Sequence, residues 1–168
     1  GTAKETSQQF DYDSAGRTIA SIDENRRRSQ FTYDVMNRLR AITLADGSVS
    51  SFNYDARGNV IRVTDPLGNI DRQVFDSLDR TTRQTDAAGN VTLYTYDLAG
   101  NLASITDPLN QVFRTSYDVR NRPVATTDAT DAVTRYKYDA KNQLTSLQDA
   151  RGNKTSYVYD TRGNVTKS

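Results

Sequence analysis

A Tyr-Asp pair recurs every 21 residues, at Tyr12-Asp13, Tyr33-Asp34, Tyr54-Asp55, Tyr96-Asp97, Tyr117-Asp118, Tyr138-Asp139 and Tyr159-Asp160. Phe75-Asp76 takes the remaining slot, so eight motifs keep one spacing without insertion or deletion. A strict period of this length is the mark of a repeat architecture, in which one small unit buries its surface only against its neighbours. The chain then divides into a partial leading repeat, residues 1–9, and a single array over 10–168 of about seven and a half repeats, which start at 12, 33, 54, 75, 96, 117, 138 and 159.

Each unit carries two turn signals. One follows the Tyr-Asp pair, as in YDSAGR, YDVMNR, YDARGN and YDLAGN. The other lies ten residues on, as TDPLGN at 64–69, TDAAGN at 85–90, TDPLNQ at 106–111, TDATDA at 127–132 and QDARGN at 148–153. Asp opens such turns by accepting backbone N–H groups about two residues on. Pro66 and Pro108 fit where φ near −65° is wanted. Gly, Asn or Asp in fourth place tolerates positive φ, so the pattern predicts a type I turn closed by a left-handed residue.

The segments between turns, such as NVIRVT, NVTLYTY and VTRYKY, have strand composition and strand length. No window repeats its apolar residues at helical spacing. The sequence therefore predicts an all-β chain: a continuous antiparallel meander of tandem 21-residue β-hairpin repeats, about 15 or 16 short strands in all. Aromatic pairs two residues apart, Phe10/Tyr12, Phe31/Tyr33, Phe52/Tyr54, Tyr94/Tyr96, Tyr136/Tyr138 and Tyr157/Tyr159, place both rings on one face. The neighbouring strands offer Leu39 and Ile42, Val60 and Val63, Leu102 and Ile105, and Leu144 and Leu147. These are three apart, so either a bulge shifts the parity or both faces are partly apolar. Pro123, inside a predicted strand, marks a bulge or an unpaired position. Repeat four is the weakest unit, with Phe75, Thr81, Thr82 and Gln84 in place of the usual apolar set.

Composition narrows the function. Hydrophobic residues are 35 % of 168, too few for a thick core. Cys and His are absent, which removes disulfides, Ser–His or Cys–His nucleophiles and the usual zinc or haem ligands. A net charge of +1 argues against nucleic acid as the main partner. No apolar stretch is long enough for a membrane helix, and the first residues show no basic-then-apolar leader.

The Tyr-Asp-x-x-Gly-Asn/Arg-Leu/Val pattern, with Asp-Pro-x-Gly-Asn midway, resembles the YD or Rhs repeat over about residues 10–168. That family includes bacterial Rhs polymorphic toxins, wall-associated proteins, shell subunits of insecticidal toxin complexes, and teneurins. The resemblance implies a curved strip of a β-spiral that winds into a hollow cocoon enclosing a toxin effector. It implies a secreted or cell-surface location as part of a larger bacterial protein, and the toxin or further repeats of the parent chain as partners. The segment's own role is then that of a non-catalytic wall. Asp65-Pro66-Leu67-Gly68 looks superficially like the family's cleavage region but reads here as a repeat turn, echoed at Asp107-Pro108-Leu109.

Other readings of the same residues are weaker. The alternative function is a cell-surface adhesive module that binds glycan or protein through the aromatic face. Repetition disfavours it, because a binding site needs one special place. Of 21 acidic residues 19 are Asp, yet each turn offers one, too few for calcium, which takes six to eight oxygens. The turn carboxylates lack the close partner a glycosidase needs. The expectation is thus no enzyme activity, no catalytic or metal residue and no cofactor, with the Tyr-Asp pairs serving as structural motif residues. Arg26-Arg27-Arg28 reads as a solvated edge, and Asn90, Asn153 and Asn164 match the N-glycosylation pattern as by-products of the repeat. A sheet with one apolar face uncovered is expected to self-associate.

Overall fold

The computed structural model describes residues 8–167. The chain divides into two compact units, residues 1–90 and 91–168. Residues 1–7 of the expected leading repeat lie outside the described residues. The first unit contains β1 Gln9–Tyr12, β2 Thr18–Ile22, β3 Arg28–Tyr33, β4 Leu39–Thr43, β5 Val49–Tyr54, β6 Val60–Thr64, β7 Ile70–Phe75 and β8 Thr81–Thr85. The second contains β9 Val91–Tyr96, β10 Leu102–Thr106, β11 Val112–Tyr117, β12 Pro123–Thr127, β13 Val133–Tyr138, β14 Leu144–Gln148, β15 Lys154–Ser156, β16 Val158–Tyr159 and β17 Val165–Lys167. There is no helix among the described residues. In each unit the strand order is the chain order and every pairing is antiparallel, with β16–β17 as a separate hairpin. The fold is an all-β meander. Tyr157 interrupts the last long strand, so β15 and β16 together fill the place that one six-residue strand fills elsewhere.

One turn geometry is used throughout. At the first, the Asp13 N–H donates to Arg17 O at 3.0 Å and the Gly16 N–H donates to Asp13 O at 3.0 Å. The same pair of bonds recurs at every turn from Asp13 to Asp160. The fourth turn residue always has positive φ, from Gly16 and Arg26 to Asn142 and Gly163. The turns at Asp23 and Leu44 adopt it as well. Leu44 has no side-chain acceptor, and Asp46 takes over there by accepting the Ser48 N–H at 2.9 Å and hydroxyl at 2.6 Å.

A bulge settles the parity question. In the first unit Tyr33 lies opposite Leu39 and Thr32 opposite Ala41, which leaves Arg40 as the extra residue. The same shift falls between Asn53 and Tyr54 and between Val74 and Phe75. In the second unit it follows Ser116 and Lys137. One extra residue brings two positions three apart onto the same face. Ile42 therefore pairs with Phe31 while Leu39 pairs with Tyr33, and Val63 pairs with Phe52 while Val60 pairs with Tyr54. The aliphatic and aromatic stripes share one face. Pro123 is no exception, since it opens β12 opposite Tyr117, beside a bulge that the other repeats also have. At three bulges the extra residue is a Thr whose hydroxyl donates across the ladder, Thr82 to Val74 O at 3.2 Å, Thr145 to Lys137 O at 3.2 Å and Thr166 to Val158 O at 3.1 Å.

The described residues of each unit form no closed core. Among the described residues only Ala20 and Ser146 are buried, and no large side chain is fully so. The aromatic face is half-buried by its own cross-strand neighbours, which is as far as one layer of sheet can go.

Candidate functional site

The Tyr-Asp motif residues form a ladder along one edge of each unit, where the turn after each Tyr lies. Each Asp serves its own turn first. Asp13 Oδ1 accepts the N–H groups of Ala15 at 2.9 Å and Arg17 at 3.0 Å. The same oxygen does this at Asp34, Asp55, Asp76, Asp118, Asp139 and Asp160, and at Asp97 it accepts the Asn101 N–H at 2.8 Å.

The second oxygen meets a side chain four residues on. Arg17, Arg38, Arg80 and Arg122 each place Nε or Nη2 within 2.6–2.8 Å of the Oδ2 of Asp13, Asp34, Asp76 and Asp118. Asn59, Asn101 and Asn164 do the same with Nδ2 at 3.0–3.1 Å. These contacts favour the ionised carboxylate. The Arg122 side chain, chiefly, holds Asp118 down at about 2. Asp13 and Asp76 are lowered above all by the Arg17 and Arg80 side chains, Asp55, Asp97 and Asp160 by Asn59, Asn101 and Asn164, and Asp34 by the Arg38 backbone N–H.

The cations then reach the next repeat. Arg38 Nη1 donates to Asp55 O at 2.9 Å, and its guanidinium lies 4.5 Å from the centre of the Tyr54 ring. Arg17 covers Tyr33 at 4.9 Å and Arg122 covers Tyr138 at 4.6 Å. Arg122 Nη1 also donates to Asp139 O at 3.1 Å. Tyrosines return the link. The Tyr33, Tyr54, Tyr117 and Tyr159 hydroxyls donate to the carbonyls of Thr18, Leu39, Leu102 and Leu144 at 2.7, 2.7, 3.0 and 2.8 Å. Phe75 has no hydroxyl to reach the matching carbonyl of Val60. Tyr12, at the start of the array, is 59 % exposed, while Tyr96 is half-buried with the other rings.

A second column of bonds, not evident from the sequence, runs from turn to turn. Arg17 donates to Asn37 Oδ1 at 2.6 Å, Asn59 to Asp79 Oδ1 at 2.6 Å, and Asn101 to Asn121 Oδ1 at 2.9 Å. In each, the donor's own turn has Gly in the left-handed place, and the next turn has Asn or Asp there. Arg122, whose own turn has Asn121 there, makes the same bond to Asn142 Oδ1 at 3.0 Å, so the available signal was an Asn or Asp in the left-handed place of the next turn.

These side chains stitch one turn to the next and converge on no enclosed cavity. Among the described residues no group of three acidic residues is placed to hold a metal ion. The arrangement is suited to holding strands in register.

A family model described as RHS Repeat matches residues 12–49, 37–70, 75–112, 96–133, 117–154 and 138–168. No curated protein matches the chain. Among solved structures, TcdB2-TccC3 without its hypervariable C-terminal region is similar, with a TM-score of 0.57 and 17 % identity over 94 % of this chain and 11 % of that one. A crystal structure of TcdB2-TccC3 aligns at a TM-score of 0.56 and 15 % identity, with the same coverage of 94 % and 11 %. The chain spans about a tenth of the length of these solved chains, and at such identities the likeness is one of fold. With the repeat model covering 12–168 except 71–74, and with the meander and its Tyr-Asp ladder in place, the chain belongs to the RHS repeat family.

Proposed function

We propose that the chain is a wall segment: one array of about seven and a half repeats that contributes strands to a hollow β-shell around a toxin effector, in a secreted or surface-exposed bacterial protein. The observation that carries this reading is the ladder, in which each Asp closes its own turn while Tyr hydroxyls and Arg or Asn side chains join one repeat to the next. Such a segment acts by stiffness and exclusion and performs no chemistry of its own. The likeness in fold to TcdB2-TccC3 supports the reading, as does the half-covered aromatic face, which a wall layer would shield.

The test is electron microscopy of the longest natural polypeptide that carries this array. A closed β-walled chamber with density inside supports the proposal; an open, extended particle overturns it. For the isolated chain, light scattering checks the accompanying expectation that the uncovered aromatic face drives self-association. A strictly monomeric species at high concentration would count against it, and saturable glycan binding lost on Tyr→Ala changes would favour adhesion instead.

A further inference from the structure

The face opposite the aromatic stripe carries a charge cluster that the ladder does not use. In the first unit Arg62 on β6 lies directly opposite Arg72 on β7. Arg72 lies opposite Thr85, and Arg83, two residues earlier on β8, lies opposite Val74. Like charges in direct cross-strand pairs destabilise a sheet. All three arginines are exposed, and none is within ion-pair distance of a carboxylate among the described residues. The nearest turn carboxylates are occupied, Asp65 by Asn69 and Asp86 by Asn90. Asp71 points to the aromatic face, opposite Val63. Three adjacent strands thus hold an uncompensated cationic patch, bordered by Thr64, Thr85 and the half-exposed Val74.

We propose that Arg62, Arg72 and Arg83 form a docking surface for an extended acidic polypeptide segment. The spacing fits that occupant. Arg72 and Arg83 are diagonal neighbours, about 7–8 Å apart at the backbone. Alternate residues of an extended chain put side chains on one side at about 6.6 Å, so carboxylates at every second residue match the diagonal. Guanidinium groups pair with carboxylates by two parallel hydrogen bonds. The patch is poorly built for nucleic acid. Single strands stack on aromatic rings, and the strand register turns the rings to the other face. Duplexes need a wider basic field than a chain of net charge +1 supplies. Three arginines are also fewer than the four to eight basic residues that hold a segment on anionic lipid. This surface stands independently of the shell reading.

The experiment uses the whole chain and a short labelled peptide that alternates Glu and Ser, followed by fluorescence anisotropy at low salt. The triple variant Arg62→Gln, Arg72→Gln, Arg83→Gln is compared with Arg26→Gln, Arg151→Gln, Arg162→Gln, which removes the same charge from exposed turns. The expected result is saturable binding that weakens about tenfold in the first variant and stays within about twofold in the second. The first variant should melt at the same temperature as the parent or higher, since it removes repulsion. Equal weakening in both variants, or no binding of the peptide, overturns the proposal. So does tighter binding of an oligothymidylate or of phosphatidylserine vesicles through the same three arginines.

Discussion

At the residue scale, Tyr and Asp divide the work of the motif. Asp shapes its own turn, and Tyr fastens the strand to the previous repeat through a hydroxyl–carbonyl bond of 2.7–3.0 Å. Repeat four is a natural deletion of that bond, because it has Phe75. Tyr54→Phe should therefore lower stability by about 1 kcal/mol, the usual net value of such a bond, and Phe75→Tyr should recover a similar amount by reaching Val60 O. Urea unfolding of both variants checks this, and a neutral or destabilising Phe75→Tyr would show that the repeats are not equivalent. A second residue is set against its backbone. Arg26 occupies the left-handed place of its turn at φ 61°. A side chain there costs roughly 1–2 kcal/mol, partly offset by the entropy that glycine adds to the unfolded chain, so Arg26→Gly should stabilise by about 0.5–1 kcal/mol. Thermal melts give the sign. The Asp and left-handed columns were legible from the sequence because each rests on local backbone chemistry. The Arg/Asn column four residues after each Asp was visible as letters, but its reach to the next turn was not, since that depends on which strands become neighbours.

At the scale of the element, the odd length of the repeat has a cause. Turns of five residues, with strands of five and six, make up the 21, and one residue of the five-residue strand is the bulge. Apolar spacing in the sequence posed the question, because Leu39 and Ile42 are three apart, but only the pairing register answers it. A bulge is an exchange of hydrogen bonds between strands and leaves no residue signature of its own. Its position makes the two strands of a repeat unequal towards deletion. Removing Ile61 restores plain alternation in β6 and leaves Val60 and Val63 on the aromatic face. Removing Asn53 from β5 forces Phe52 and Tyr54 onto opposite faces. The first deletion should lower the melting temperature slightly and flatten the local twist. The second should cost about 2 kcal/mol or more through one displaced aromatic ring. Equal losses would mean that the bulge is required for folding and is more than an accommodated insertion.

At the scale of the whole molecule, the described residues form no protected interior of the kind that makes most domains indifferent to their surface charge. Among the described residues only Ala20 and Ser146 are buried, so turn bonds carry an unusual share of the specification. Most of those turns depend on an ionised Asp. The carboxyls of Asp13, Asp34, Asp55, Asp65, Asp76, Asp86, Asp97, Asp118, Asp128, Asp149 and Asp160 are all held below the ordinary 3.8, through hydrogen bonds to the carboxylate form. A folded-state value below the unfolded one contributes stability that is full above the unfolded value and is lost as pH falls through the folded one. The array should therefore be insensitive to pH above about 5 and lose stability steadily from about 5 towards 2. The last carboxylate to protonate is expected to be Asp118, at about 2. Far-UV circular dichroism during acid titration, repeated with Asp118→Asn, measures this. The variant should start less stable at neutral pH and show a smaller acid-dependent loss, because it has surrendered one of the linked protonations in advance. An acid transition unchanged by the substitution would place the pH dependence elsewhere in the sheet and sever the connection between carboxylate ionisation and repeat stability.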